Sequence, residues 1–206
     1  MSCLIQKSLQ RGMTELYGLP DRRLAHLSFG VARLEPGDRF GETLNRREAV
    51  LVLLAGRAHV KGQGFDLGEI DAAAAPDAAP TAIYCGPGLF TVKARTEAEV
   101  LVLRRECGPK YKNDSRLLDP AEIGDATPGD GAAACRRRAL YRPTVDGSGL
   151  MAGATAFGPD AAPFCPWTPE LTADGATEAA LFFRIDGEGK ALARLDGCTD
   201  VCEQAV

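Results

Sequence analysis

Histidine is nearly absent from this sequence. The 206 residues contain two, His26 and His59, and neither has a second imidazole at metal-ligand spacing. An imidazole-based metal site needs several neutral ring nitrogens converging on one ion, usually with a carboxylate. No metal is therefore expected, and both histidines read as surface or packing residues. The acidic residues are scattered rather than repeated at the intervals of an oxygen-only Ca²⁺ or Mg²⁺ loop. Positive charge is not in excess either: 24 Lys and Arg stand against 28 Asp and Glu. A nucleic-acid binder normally carries a basic stripe that neutralises phosphates. The one dense basic cluster, Arg136-Arg137-Arg138, reads as a solvated face, and no nucleic-acid partner is expected.

Long apolar runs are also missing. Nothing approaches the roughly 20 residues that span a bilayer, and the first ten residues hold only a brief Cys3-Leu4-Ile5 where a signal peptide would carry a longer apolar segment. The expectation is a cytoplasmic protein with no membrane partner. The seven cysteines, at 3, 85, 107, 135, 165, 198 and 202, are odd in number and lack CxxC spacing, which indicates neither a zinc knuckle nor a full disulfide framework. They read as small buried hydrophobes. Cys198 and Cys202, with three residues between them, would share a helix face or a strand end. Cys85 precedes Gly86-Pro87-Gly88 at a strand end, but nucleophilic chemistry there would need a partnering histidine. No phosphate loop, GxSxG elbow or GxGxxG fingerprint occurs, so no cofactor is expected.

What remains is β-sheet. Residues 47–64 read as a hairpin: the apolar run 49–55 is bounded by charge and by Gly56, and a second strand, 57–61, follows at once. The glycines at 56, 62 and 64 permit the turns. Before it, residues 1–20 are weakly patterned and read as a lead-in. Residues 24–34 alternate with Leu27, Phe29 and Val31 inward, residues 35–38 form a turn, and 40–44 form a short strand. After it, 69–80 read as a loop, 81–85 as a strand, and 89–94 with 100–104 as a strand pair around a turn at 95–98. Short strands separated by Gly/Pro turns point to a β-sandwich or barrel.

From 106 to 149 the chain turns polar and loses its period. It reads as a linker crossing the first domain, with a short helical turn at 117–123 in which Asp119 caps and Pro120 takes the first position. Residues 150–157 and 178–185 are again strand-like, and Asp186-Gly187-Glu188-Gly189 turns the chain into 190–195. The division is 1–105, an N-terminal domain; 106–149, the linker; and 150–206, with three or four strands, too few for an independent closed barrel.

The run Glu48 to Val60, then Gly64 to Gly68, Pro80 to Tyr84 with Gly86-Pro87-Gly88, Phe90 to Val92 and Ala98 to Val102 resembles the 5-deoxy-glucuronate isomerases of myo-inositol catabolism. These are relatives of the pectin-pathway uronate ketol-isomerases. The likeness continues through Tyr111, Asp119-Pro120 and the arginine cluster, and covers most of 24–185. It implies an all-β, cupin-type β-sandwich or barrel with an incomplete second cupin at the C-terminus. In such a bicupin the first half is a scaffold, and the second binds a divalent metal through an HxH pair after a proline-rich turn, a glutamate on the next strand and a late histidine. Here the turn, Pro163-Phe164-Cys165-Pro166-Trp167-Thr168-Pro169, contains no histidine. Glu178 is the one ligand-like position that remains, and the sequence ends at Val206 before the late histidine.

Two functions follow as expectations. The first is a degenerate, truncated isomerase-like bicupin without the metal site, serving binding or assembly as a homo-oligomer whose apolar edges are covered by a partner surface. The second is a sugar-acid isomerase acting through a relocated or metal-free site. Arg138 or Arg142 would hold the carboxylate of a small sugar acid, and Glu178 or Asp186 would act as base.

Overall fold

The computed structural model describes residues 2–17, 27–72, 80–107, 114–118, 125–126, 135–141, 152–157, 179–185 and 190–196, with side chains placed at 7–16, 27–72, 80–107 and 114–118. All the regular elements among the described residues are strands. They are β1 (Ser2–Ser8), β2 (Gly12–Tyr17), β3 (Leu27–Leu34), β4 (Arg39–Leu44), β5 (Arg47–Ala55), β6 (Arg57–Gly62), β7 (Phe65–Asp71), β8 (Thr81–Cys85), β9 (Gly88–Ala94) and β10 (Ala98–Glu106). Beyond these come β11 (Arg116–Leu118), β12 (Asp125–Ala126), β13 (Cys135–Tyr141), β14 (Ala152–Phe157), β15 (Ala179–Ile185) and β16 (Lys190–Asp196). Among the described residues no helix is long and apolar enough to cross a membrane.

Two sheets form the main sandwich. One has six strands in the order β11-β8-β5-β10-β3-β2, the other four in the order β4-β9-β6-β7, and every pairing in both is antiparallel. The interior between them is apolar. The six-stranded sheet contributes Ala32, Leu34, Leu51, Leu53, Ile83, Val100 and Val102, and the four-stranded sheet contributes Leu44, Val60, Phe90 and Val92. The Phe90 ring meets Phe40 edge-on at a centroid distance of 5.7 Å, a favourable aromatic arrangement.

The run at 49–55 is continuous rather than alternating because β5 is the third strand of six and buried on both faces: Glu48 through Leu53 are all buried. That is how a strand covered on two sides reads. Gly56 ends it with φ +81°, and a Cβ there would collide with the Glu97 carbonyl, so only glycine fits. Gly62 serves differently: its φ is not positive, but a side chain would strike the Phe65 ring and the Leu89 carbonyl.

Several sequence expectations change. Residues 1–20 contain two strands, β1 and β2, where the weak pattern suggests a lead-in. Phe29 and Val31 are buried as expected, yet the face of β3 that meets the four-stranded sheet is the other one, bearing Ala32 and Leu34. Both faces of β3 are covered, and alternation cannot rank two buried faces. Strand β7 extends to Asp71, inside the stretch read as a loop. Residues 116–118 form β11 beside β8, so Leu117 and Leu118 are strand at the start of the stretch 117–123 where a helical turn is expected, because an open sheet edge supplies ladder partners. Asp119 to Ile123 lie outside the described residues. Three strands, β11, β12 and β13, lie within 106–149.

Candidate functional site

Along each strand the sandwich interior changes character at one end. On β10 the inward positions run Ala98, Val100 and Val102, and the next is Arg104, paired across the sheet with Ala49 and Ser28. Its side chain is 4% exposed. The guanidinium Nε donates to Oε2 of Glu42 at 2.6 Å, and Nη1 lies 3.2 Å from Oε1 of Glu15. The other oxygen of Glu42 accepts from Nη1 of Arg47 at 3.1 Å. Glu42 sits two residues before inward Leu44, Arg47 two before inward Ala49, and Glu15 opposite Gly30 on β3. Arg104 and Arg47 thus continue inward-facing rows past their last apolar members, Glu15 follows Met13 on β2, and Glu42 stands between Phe40 and Leu44 on β4, where the four charged side chains meet.

Two guanidiniums and two carboxylates balance, as buried charge requires. The balance is uneven. Burial pushes the Glu15 carboxyl above its usual range, opposed by Arg104 and reinforced by Glu42. Glu15 is also the most exposed of the four, at 48% against 32% for Arg47, 21% for Glu42 and 4% for Arg104. It is the member most easily displaced. A planar guanidinium fork recognises carboxylates, so an incoming carboxylate can take Glu15's place on Arg104. A divalent cation does not fit this donor set, since both carboxylates already face fixed positive charges. Among the described residues no group of three His, Cys, Asp or Glu side chains is arranged to hold a metal.

The opposite face of the six-stranded sheet carries a second polar cluster. Glu48, fully buried, accepts a hydrogen bond from the Tyr84 hydroxyl at 2.9 Å and lies 3.8 Å from Nη1 of Arg105, its cross-strand partner. The backbone N–H of Cys107 donates to the Arg46 carbonyl. Burial and the nearby Glu48 carboxylate push the Cys107 thiol up. Cys85 faces the sandwich interior, where burial pushes its thiol up to about 12. Both thiols stay protonated at neutral pH and are poor nucleophiles.

His59 points away from that interior. Its neighbours Ala58 and Val60 are the inward pair on β6, while Nε2 of His59 lies 2.7 Å from Oδ1 of Asp66 and Nδ1 lies 3.5 Å from Nη2 of Arg95, which in turn pairs with Glu69 at 2.8 Å. It belongs to a chain of surface ion pairs. His26, Arg142, Glu178 and Asp186 lie outside the described residues. Arg138 is on β13, opposite Asp125 of β12 and Ala154 of β14; its side chain is outside the described set. Sequence reading misses Arg104, Glu42, Arg47 and Glu15. The signal that finds them is parity: Arg104 stands two residues after Val102, on an inward position of a strand that is otherwise apolar.

Two antiparallel sheets face to face around an apolar interior define a cupin-type β-sandwich. The sequence profile of the KduI/IolB family matches residues 4–150, and the chain belongs to that family. Among solved structures it is similar to an IolB-like protein from Salmonella typhimurium LT2, at 21% identity over 66% of this chain and 53% of that one, with a TM-score of 0.60. It is also similar to a Pseudomonas aeruginosa protein named as glyoxylate-induced, at 14% identity over 95% of this chain and 80% of that one, with a TM-score of 0.53. At these identities the likeness concerns the fold. The chain spans about half the length of the Salmonella protein. Among curated proteins no sequence matches this chain significantly.

Proposed function

We propose that this chain is a sugar-acid-binding member of the KduI/IolB family that works without a metal centre. The observation that carries the reading is the charged end of the sandwich interior, where buried Arg104 is held firmly by Glu42 at 2.6 Å and loosely by Glu15 at 3.2 Å. A ligand carboxylate displaces Glu15 and docks on Arg104, with Arg47 beside it. Two features support a role without metal. The proline-rich turn at 163–169 contains no histidine, and the one described histidine, His59, is engaged by Asp66 outside the sandwich interior. On this reading residues 1–105 form the binding cupin, 106–149 connect, 150–206 belong to a second cupin, and the protein acts as a homo-oligomer in the cytoplasm.

Family membership favours a second reading. There the chain is a sugar-acid isomerase of the 5-deoxy-glucuronate type, with Arg138 or Arg142 on the substrate carboxylate and Glu178 or Asp186 as base. One experiment separates the two. Calorimetric titration with glucuronate should show binding that Arg104→Gln abolishes while the far-ultraviolet circular dichroism spectrum is kept. Incubation with 5-deoxy-glucuronate and added Mn²⁺, Zn²⁺ or Fe²⁺ should give no ketose product. Metal-dependent turnover, or stoichiometric metal in the purified protein, overturns the first reading. Absence of glucuronate binding overturns the assignment of the site to Arg104.

A further inference from the structure

The first strand of the chain does not belong to the sheet that its neighbour in sequence joins. Strand β2 is an edge of the six-stranded sheet, whereas β1 pairs with β16 in an unbroken antiparallel register from Ser2↔Asp196 to Ser8↔Lys190. On its other side β16 pairs just as fully with β15, from Ala179↔Asp196 to Ile185↔Lys190. Among the described residues β1 is the one partner of the β15–β16 hairpin, and a hairpin by itself is marginal at best in water, while a third strand is what permits independent stability. An uncovered β16 would also present a row of unpaired N–H and C=O groups.

The crossing point is fixed in place. Only Leu9, Gln10 and Arg11 separate β1 from β2. Leu9 is buried, and its carbonyl accepts from Nη1 of Arg33 at 3.3 Å. The Arg11 guanidinium grips the β3–β4 turn: Nε and Nη2 donate to the two oxygens of Asp38 at 3.0 and 2.8 Å, and Nη1 lies 2.8 Å from Oε2 of Glu35. Asp38 is itself tied into the turn by accepting from the Glu35 N–H at 3.0 Å. Lys7, near the end of β1, reaches back with Nζ to the Glu15 carbonyl at 2.7 Å. A strand held by so short and so anchored a link is presented to its acceptor at high effective concentration.

We propose that residues 2–8 are a strap, donated from the edge of the first sandwich to the β16 edge, and that the β15–β16 hairpin depends on it for its order. The strap makes the last strands of the chain report on the anchoring of the first. It is independent of any ligand or reaction.

The test uses amide hydrogen exchange on the full chain. Ile5→Pro places a proline at the centre of the strap, opposite Ala193, where its fixed φ and missing N–H oppose strand pairing. Exchange in 179–185 and 190–196 should quicken by about tenfold or more, the equivalent of one unmade buried hydrogen bond. Exchange in β5 and β10 should change less than about twofold, because the loss is confined to one foldon. A second variant lacking residues 2–8 should lose protection in the same two strands. Unchanged protection of 179–196 in either variant overturns the proposal. So does an equal loss throughout the sandwich.

Discussion

The two ends of the sandwich interior share the same strands and the same side-chain parity, yet they are held together by different physics. At one end Leu34, Leu51, Leu53, Val60, Val92 and Val100 bury apolar surface, a non-directional gain roughly proportional to area. At the other, Arg104, Arg47, Glu42 and Glu15 interact through a few directed contacts. Dispersion and burial tolerate changes of shape that keep volume, whereas a charged network tolerates almost no single deletion but can be replaced as a unit. The apolar end specifies stability. On the proposed reading, the charged end is where a ligand carboxylate exchanges places with a side chain.

The largest expected effect tests the apolar packing where it meets the charged network, at Phe90, which pairs across the sheet with Glu42. Phe90→Ala removes the ring that meets Phe40 and should cost about 3–5 kcal/mol in urea unfolding. A loss under about 1 kcal/mol would mean that the interior collapses around the gap, which native packing density argues against. At the charged end, Arg104→Met leaves Glu42 with Arg47 alone and should cost about 3 kcal/mol, toward the low side of buried pairs because Glu42 keeps that partner and some exposure. The double variant Arg104→Met with Glu42→Leu should recover most of that loss, since Arg47 is one-third exposed and can hydrate. Equal costs for single and double variants would contradict the network reading. Tyr84→Phe, on the other face of the same sheet, takes one donor from buried Glu48 and should cost about 1–3 kcal/mol.

The same contrast explains what the sequence reveals. Strands β5, β8 and β10 are legible because each combines β-branched or aliphatic residues with a Gly/Pro or charged boundary. The family likeness is legible because it resides in those same strands. The inward face of β3 is not, since Phe29 and Ala32 are both buried and periodicity assigns only one face to the core. Strand β1 is not legible either. Its partner lies at the far end of the chain, and a pairing of that sequence separation leaves no local pattern. Arg104 is hidden for a related reason. In the sequence it is one of two adjacent arginines, Arg104 and Arg105, and only the register assigns the first to the interior with Glu42 and the second to the outer face with Glu48.

The smallest effect lies on the outer surface of the four-stranded sheet and sets the limit of the comparison. Asp66 is held below the usual carboxylate range, first by the Gly68 N–H and then by His59. A carboxyl whose folded pKa is depressed adds stability above its unfolded pKa and loses it as the pH falls through the folded value. Asp66→Asn should therefore match the parent in the acid limb and fall slightly below it above pH 5, so that its melting temperature rises less with pH; the gap stays small because exposed pairs are screened by solvent. Arg104→Met should instead lower stability by far more across the whole neutral range, since it removes a buried partner of both Glu42 and Glu15. If the two variants give parallel pH profiles, the distinction between a buried network that organises an interior and a surface pair that decorates a sheet does not hold for this protein.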